Sequence, residues 1–141
     1  MKKLIDAYIY RESSKNIEFL ILQRAKNKIY AGQWRMVGGK VKENEDYADA
    51  ALREIQEEIQ LTPSFFWVVP SVNTFFEAKT NQILHIPAFA AKAPELRAAP
   101  NPEFARCVTT LNLESSRAKS ARMLAVASVE PSFTKIHSKC L

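Results

Sequence analysis

The spacing of apolar residues changes character several times along the chain, and each change predicts an element. Leu4 to Arg11 ("LIDAYIYR") is dense in β-branched and aromatic residues and predicts a strand. A polar turn follows, and then Ile17 to Arg24 ("IEFLILQR"), apolar enough to be buried on both faces, predicts a second strand. The two form a hairpin. "AKNKIYAGQ" reads as a loop, and Trp34 to Val41 as a short strand broken at Gly38-Gly39.

The period then becomes helical. Ala48, Ala51, Leu52, Ile55 and Ile59 fall on one face, predicting a helix over about residues 44–60 that starts behind Glu43 or Asn44. Glu45, Asp46 and Asp49 crowd its first turns, where acids suit the helix dipole. "FFWVVPSVNTFFEA" and Gln82 to Lys92 return to strand patterning, with Pro70 and Pro87 marking edges or bulges and Phe75 and Phe76 read as core. A Pro/Ala-rich loop spans 93–101, a last helix is expected from about Leu113 to Ser128, and the tail after about residue 129 is expected to be loosely ordered. No repeat or long linker divides the sequence. The expected architecture is one α+β domain over residues 1–141, a mixed β-sheet sandwiched between helices (α/β/α).

Composition narrows the function. Hydrophobic residues make up 47% and charged residues 25%, as in ordinary globular proteins. Every apolar run falls short of the ~20 residues needed to cross a bilayer. The opening "MKKLIDAYIY" meets Asp6 too early for a secretory core, so a cytoplasmic protein without a membrane partner is expected. Cys107 and Cys140 have no metal-ligand spacing and read as free thiols, while His85 reads as a strand residue. The net charge of +5 helps with anionic ligands, but no basic run suggests a nucleic-acid partner. The acidic stretch from Glu43 to Glu58 runs against that basic background.

On the helix, Glu54, Glu57 and Glu58 stand at i, i+3 and i+4 and are expected to share the side opposite the apolar face. Like charges at that spacing cost a few tenths of a kcal/mol per pair. Arg53, at i, i+4 to Glu57 and able to reach back to Glu45, offsets part of this. A hard divalent cation would offset more: Mg²⁺, with Mn²⁺ as its substitute, takes one or two carboxylates and leaves room for water and phosphate oxygens. Gly38-Gly39 would let a backbone carbonyl approach. Spacing alone also allows a plain solvated acidic face.

The complete string decides between them. From Gly39 there are five residues to Glu45, seven to Arg53-Glu54, then Ile55, a spacer, Glu57-Glu58 and, two further on, Leu61. This resembles the Nudix box, G-x5-E-x7-R-E-U-x-E-E-x-G-U with U apolar, over residues 39–61. Gln60 alone departs, standing where the family has glycine. The resemblance extends over about residues 4–92 and implies the Nudix fold.

It also implies roles. Glu54, Glu57 and Glu58, with a carbonyl at Gly39 or its neighbour Gly38, would hold Mg²⁺, and Arg53 with Glu45 would orient helix and loop. Glu54, Glu57 and Arg53 would form the catalytic set as water attacks phosphorus. Glu54 is the first choice of base. Glu103 in "NPEF" is the second, although Phe104 replaces the usual histidine. Arg24 and Lys40 would touch phosphate; Trp34 is a candidate base platform, otherwise a core or rim residue. Glu77 is a lesser candidate for a metal or base contact. The expected ligand is a nucleotide or nucleoside-diphosphate-linked small molecule, and the chain a monomer or homodimer. Downstream signatures of the ADP-ribose, dinucleoside polyphosphate and NADH types are missing, which leaves a (deoxy)nucleoside triphosphate pyrophosphohydrolase of the dATP type. A non-catalytic nucleotide-binding or regulatory module is the alternative. Gln60 is expected either to adopt a left-handed conformation at up to ~1 kcal/mol or to end the helix differently.

Overall fold

The computed structural model describes residues 2–12, 17–28 and 31–94, together with the backbone of 104–109. Eight elements follow in order: β1 (Leu4–Glu12), β2 (Ile17–Arg24), β3 (Trp34–Arg35), β4 (Val37–Lys40), α1 (Tyr47–Ile59), β5 (Phe65–Glu77), β6 (Gln82–Lys92) and β7 (Phe104–Thr109). The strands make one mixed sheet in the order β3-β2-β1-β6-β5, with β4 added to β1 and β7 to β2. β1 is its hub. It runs antiparallel to β2 (Tyr10 opposite Phe19) and to β4 (Ile5 opposite Gly39), and parallel to β6 from Asp6–Ala88 to Tyr10–Lys92.

Strand alternation sorts β1 between two cores. On the α1 side, Ala7 and Ile9 pack with Leu22, Val37, Ile55, Ile59 and Ala91, while Ile5 joins Ala50, Ala51 and Phe89. On the other side, Tyr8 and Tyr10 pack with Phe19, Val69, Ala88 and Ala90, with Trp67 set edge-on to Tyr10 at 5.4 Å. Two sets of apolar side chains on one strand explain why β1 and β2 read as apolar runs rather than clean alternations.

The first hairpin, the helix and the β5–β6 pair form as the pattern predicts, and Pro70 lies in the register shift between Val69 and Val72. Three expectations need correction. The helix starts behind Asp46, not behind Glu43 or Asn44: Asp46 is the N-cap and accepts a 2.8 Å bond from the Asp49 amide. Phe75 and Phe76 are 47% and 57% exposed rather than core, because this part of β5 pairs only with β6 among the described residues and projects past β1. β7 was not foreseen at all. It falls between the loop expected over 93–101 and the helix expected from Leu113, and it is specified by pairing with β2, from Leu20–Thr109 to Arg24–Phe104, a long-range contact. The expected helix from Leu113 and the tail lie outside the described residues. No described helix is long and apolar enough to cross a membrane.

Candidate active site

α1 and β4 build the site between them. Gly39 lies against the helix: a Cβ there would sit 2.0–2.5 Å from the Glu54 carboxyl atoms, so any side chain would displace that carboxylate. Gly38 points to the other face, where a Cβ would meet Arg35 Nη2 at 2.8 Å and Asp6 Oδ1 at 3.2 Å. Two adjacent glycines therefore serve opposite faces of the sheet. The Gly38 carbonyl accepts a 2.8 Å bond from Arg35 Nη2.

Arg53 ties this region together. Its Nε and Nη2 grip Glu45 through both carboxylate oxygens at 2.7 and 3.0 Å, and Nη2 also donates to the Lys40 carbonyl at 2.8 Å. Its Nη1 donates to Glu54 at 2.7 Å and to Glu57 at 3.0 Å. Glu45 accepts a further 2.8 Å bond from the Lys42 amide, which closes the loop ahead of α1. The planar guanidinium, with five N–H donors in a fixed fork, supports so many bonds where an ammonium would not. The bonds from Arg53, and then that from the Lys42 amide, hold the Glu45 carboxyl down at about 2, below its ordinary 4.5. In return Glu45, joined by Glu54, raises the pKa of Arg53.

The three box carboxylates have unlike surroundings. Glu57 is 52% exposed and reached also by Lys42 Nζ at 3.4 Å, while Glu54 is mostly covered between Arg53 and Gly39. Glu58 is 8% exposed, which corrects the expectation that all three share the solvent side. It stands three residues after Ile55 and seven after Ala51, so helix geometry turns it inward with those buried residues. Among the described residues no three His, Cys, Asp or Glu side chains are gathered into a metal-holding group. The donor set nonetheless suits a hard divalent ion: it is all carboxylate, Glu54 and Glu57 converge on one Arg53 nitrogen, and a glycine leaves the cradle open.

The other candidates are dispersed. Arg24 ends β2, where its amide donates to the Gln33 carbonyl. Trp34 opens β3 and is 45% exposed, so it is not a core residue. Lys40 ends β4 with its carbonyl on Arg53. Glu103 lies outside the described residues. Glu77 is committed to a turn, accepting from Lys2 at 2.7 Å and Thr80 at 2.7 Å, which lower its pKa in that order. A polar group missed from sequence is Asp6, Tyr8 and Asn73, in which Asn73 stands 65 or more residues from the other two and meets them only through strand order. An asparagine inside an otherwise aromatic and β-branched strand was the one available signal.

At the C-terminus of α1, Gln60 has φ 53° and ψ 39°, and its amide bonds the Gln56 carbonyl at 3.0 Å. The helix keeps the left-handed ending that glycine would make cheaply, with glutamine in it.

Comparison with known proteins agrees with this geometry. A family model described as the NUDIX domain matches residues 3–127. A MutT protein from Methanosarcina mazei Go1 is similar at 24% identity and TM-score 0.61, over 76% of this chain and 74% of that one. A C. elegans Ap4A hydrolase in a binary complex is similar at 24% identity and TM-score 0.61, over 86% and 89%. The NUDIX domain of Shewanella oneidensis NrtR, complexed with ADP ribose, is similar at 17% identity and TM-score 0.59, over 75% and 70%. Comparison with curated proteins gives no match. With most of its length matched by the family model and its box residues drawn together on Arg53, the chain belongs to the NUDIX domain family.

Proposed function

We propose that the protein is a Mg²⁺-dependent hydrolase that cleaves a phosphoanhydride bond in a nucleoside di- or triphosphate derivative. A (deoxy)nucleoside triphosphate of the dATP type is the favoured substrate. The observation that carries this reading is the convergence of Glu45, Glu54 and Glu57 on one guanidinium, beside a glycine that no other residue can replace without moving Glu54. Adenosine is also the nucleoside in Ap4A, which one similar protein is named for hydrolysing, and in ADP ribose, with which another is complexed. A cytoplasmic location accords with such a substrate.

In this reading Glu54 and Glu57, with the Gly39 backbone, would hold the metal, and the inward-turned Glu58 would complete the set from the buried side of the helix. When bound, the metal neutralises phosphate charge and lowers the pKa of the attacking water. Arg53 fixes the helix to the loop through Glu45 and the Lys40 carbonyl, so the carboxylates it touches keep a defined position. Glu54, held mostly out of solvent, takes the proton from water. Lys40 and Arg24 steer the phosphates, with Trp34 and Glu103 as further ligand contacts.

The test is release of pyrophosphate or phosphate from a panel of nucleotides in Mg²⁺. The expected result is turnover that EDTA abolishes and that Glu54→Gln lowers by about 10²–10⁴-fold, the range for loss of a general base. Tight nucleotide binding without turnover of any panel member would instead establish a non-catalytic binding module.

A further inference from the structure

We propose that Asn73 reads the base of the bound nucleotide, accepting a hydrogen bond from the exocyclic amine of adenine. This inference rests on the adenine nucleotide substrate proposed above and concerns the sheet face away from α1. There Asn73 is 6% exposed, a buried polar side chain reaching Tyr8 of the second core. Its Nδ2 donates to Asp6 Oδ2 at 2.7 Å and to the Tyr8 hydroxyl at 3.2 Å. To reach β1 from β5 the side chain spans the intervening β6, and the residue opposite Asp6 on β6 is the small Ala88.

The amide has one orientation. A carboxylate only accepts, so the nitrogen must face Asp6 and the oxygen must face elsewhere. Among the described residues both hydrogen bonds of Asn73 are donations from Nδ2, which leaves Oδ1 as an acceptor held in a fixed direction. An apolar residue would tie β5 to the core as well; a buried amide with both donor hydrogens fixed adds selectivity for a partner that brings an N–H.

The position suits a ligand whose phosphates lie at the box. Asp6 is opposite Gly38 on β4, and the next residue, Gly39, faces Glu54. One strand of four residues thus separates the carboxylates of α1 from the Asp6–Asn73 pair, and among the described residues β4 pairs only with β1. A nucleotide folded over that strand places polyphosphate on one side and base on the other.

The experiment compares ATP with purine riboside triphosphate, which lacks only the amine, in the full-length protein with Mg²⁺. Wild type is expected to show a KM about tenfold lower for ATP, the discrimination expected of a site built to bond an N–H. In Asn73→Leu the two KM values are expected to fall within about twofold of each other through a higher KM for ATP. Asn73→Ser removes the projecting carbonyl without adding an apolar side chain, and gives the same result should the leucine variant not fold. Discrimination that survives in a folded variant overturns the role of Asn73 and leaves the hydrolase reading standing. Neither turnover nor binding of any nucleotide by wild type removes both.

Discussion

At the scale of single residues, Arg53 gives the site its shape, and its effect is measurable through Glu45. The Glu45 carboxyl is held at about 2, against an ordinary 4.5, first by the bonds from Arg53. Since the folded value is the depressed one, the stabilisation is complete above about pH 4.5 and is lost as pH falls through about 2. Arg53→Ala is expected to return the Glu45 titration, followed by carboxyl carbon resonances, from about 2 to near 4.5. It is also expected to make the loop before α1 more susceptible to proteolysis. A Glu45 pKa that stays near 2 would mean the Lys42 amide alone sets it. The box residues were legible in the sequence because their roles follow from fixed spacing on a helix. Asp6 and Asn73 were not, because their meeting depends on β1 and β5 flanking β6.

At the scale of elements, α1 was legible in type but not in detail. Five apolar positions at helical spacing gave the helix, yet the same geometry applied to Glu58 turns it inward, beside Ile55 and Ala51. The C-terminus was legible in detail, since a glycine missing from the box predicts a strained residue, and Gln60 has φ 53°. Left-handed geometry disfavours a residue with a Cβ. Gln60→Gly relieves that strain and gives back part of the gain in unfolded-chain entropy, so a net stabilisation of about 0.5–1 kcal/mol is expected. The midpoint of urea unfolding measures it, with an unchanged slope as evidence that the surface exposed on unfolding is the same in both proteins. A variant that is no more stable than the parent shows that the left-handed turn costs glutamine no more than the entropy glycine adds to the unfolded chain. β7 was illegible for the opposite reason: its pairing with β2 is a property of the whole sheet, and Phe104 to Thr109 carry no strong local signal.

At the scale of the whole molecule, the sheet is most secure at its centre and least secure at the end of one hairpin. β1 pairs with β2, β4 and β6 and places side chains in all three apolar clusters. The far end of β5 and β6, from Phe75–Leu84 to Glu77–Gln82, pairs only with itself among the described residues, and Phe75, Phe76 and Ile83 are exposed. A two-stranded ribbon with little buried surface is marginal by itself. The ion pair between Lys2 and Glu77 is partly exposed and adds little, as surface pairs do. Amide hydrogen exchange should therefore divide the sheet. Amides of Ala7 to Ile9 are expected to exchange only through near-global opening, while Phe76, Glu77 and Ile83 exchange at least about 100-fold faster through local opening. Equal protection at the two places would show the hairpin end to be as firmly held as the hub. The division has a functional side: Asn73 lies where the ribbon joins the body of the sheet, held to β1 through Asp6 and Tyr8. A loosened ribbon would reach the base-reading face before it reached the carboxylates. Cutting the Asn73–Asp6 bond with Asp6→Leu should accordingly speed exchange at Phe76 and Ile83 while leaving Ala51 and Ile55 of α1 protected.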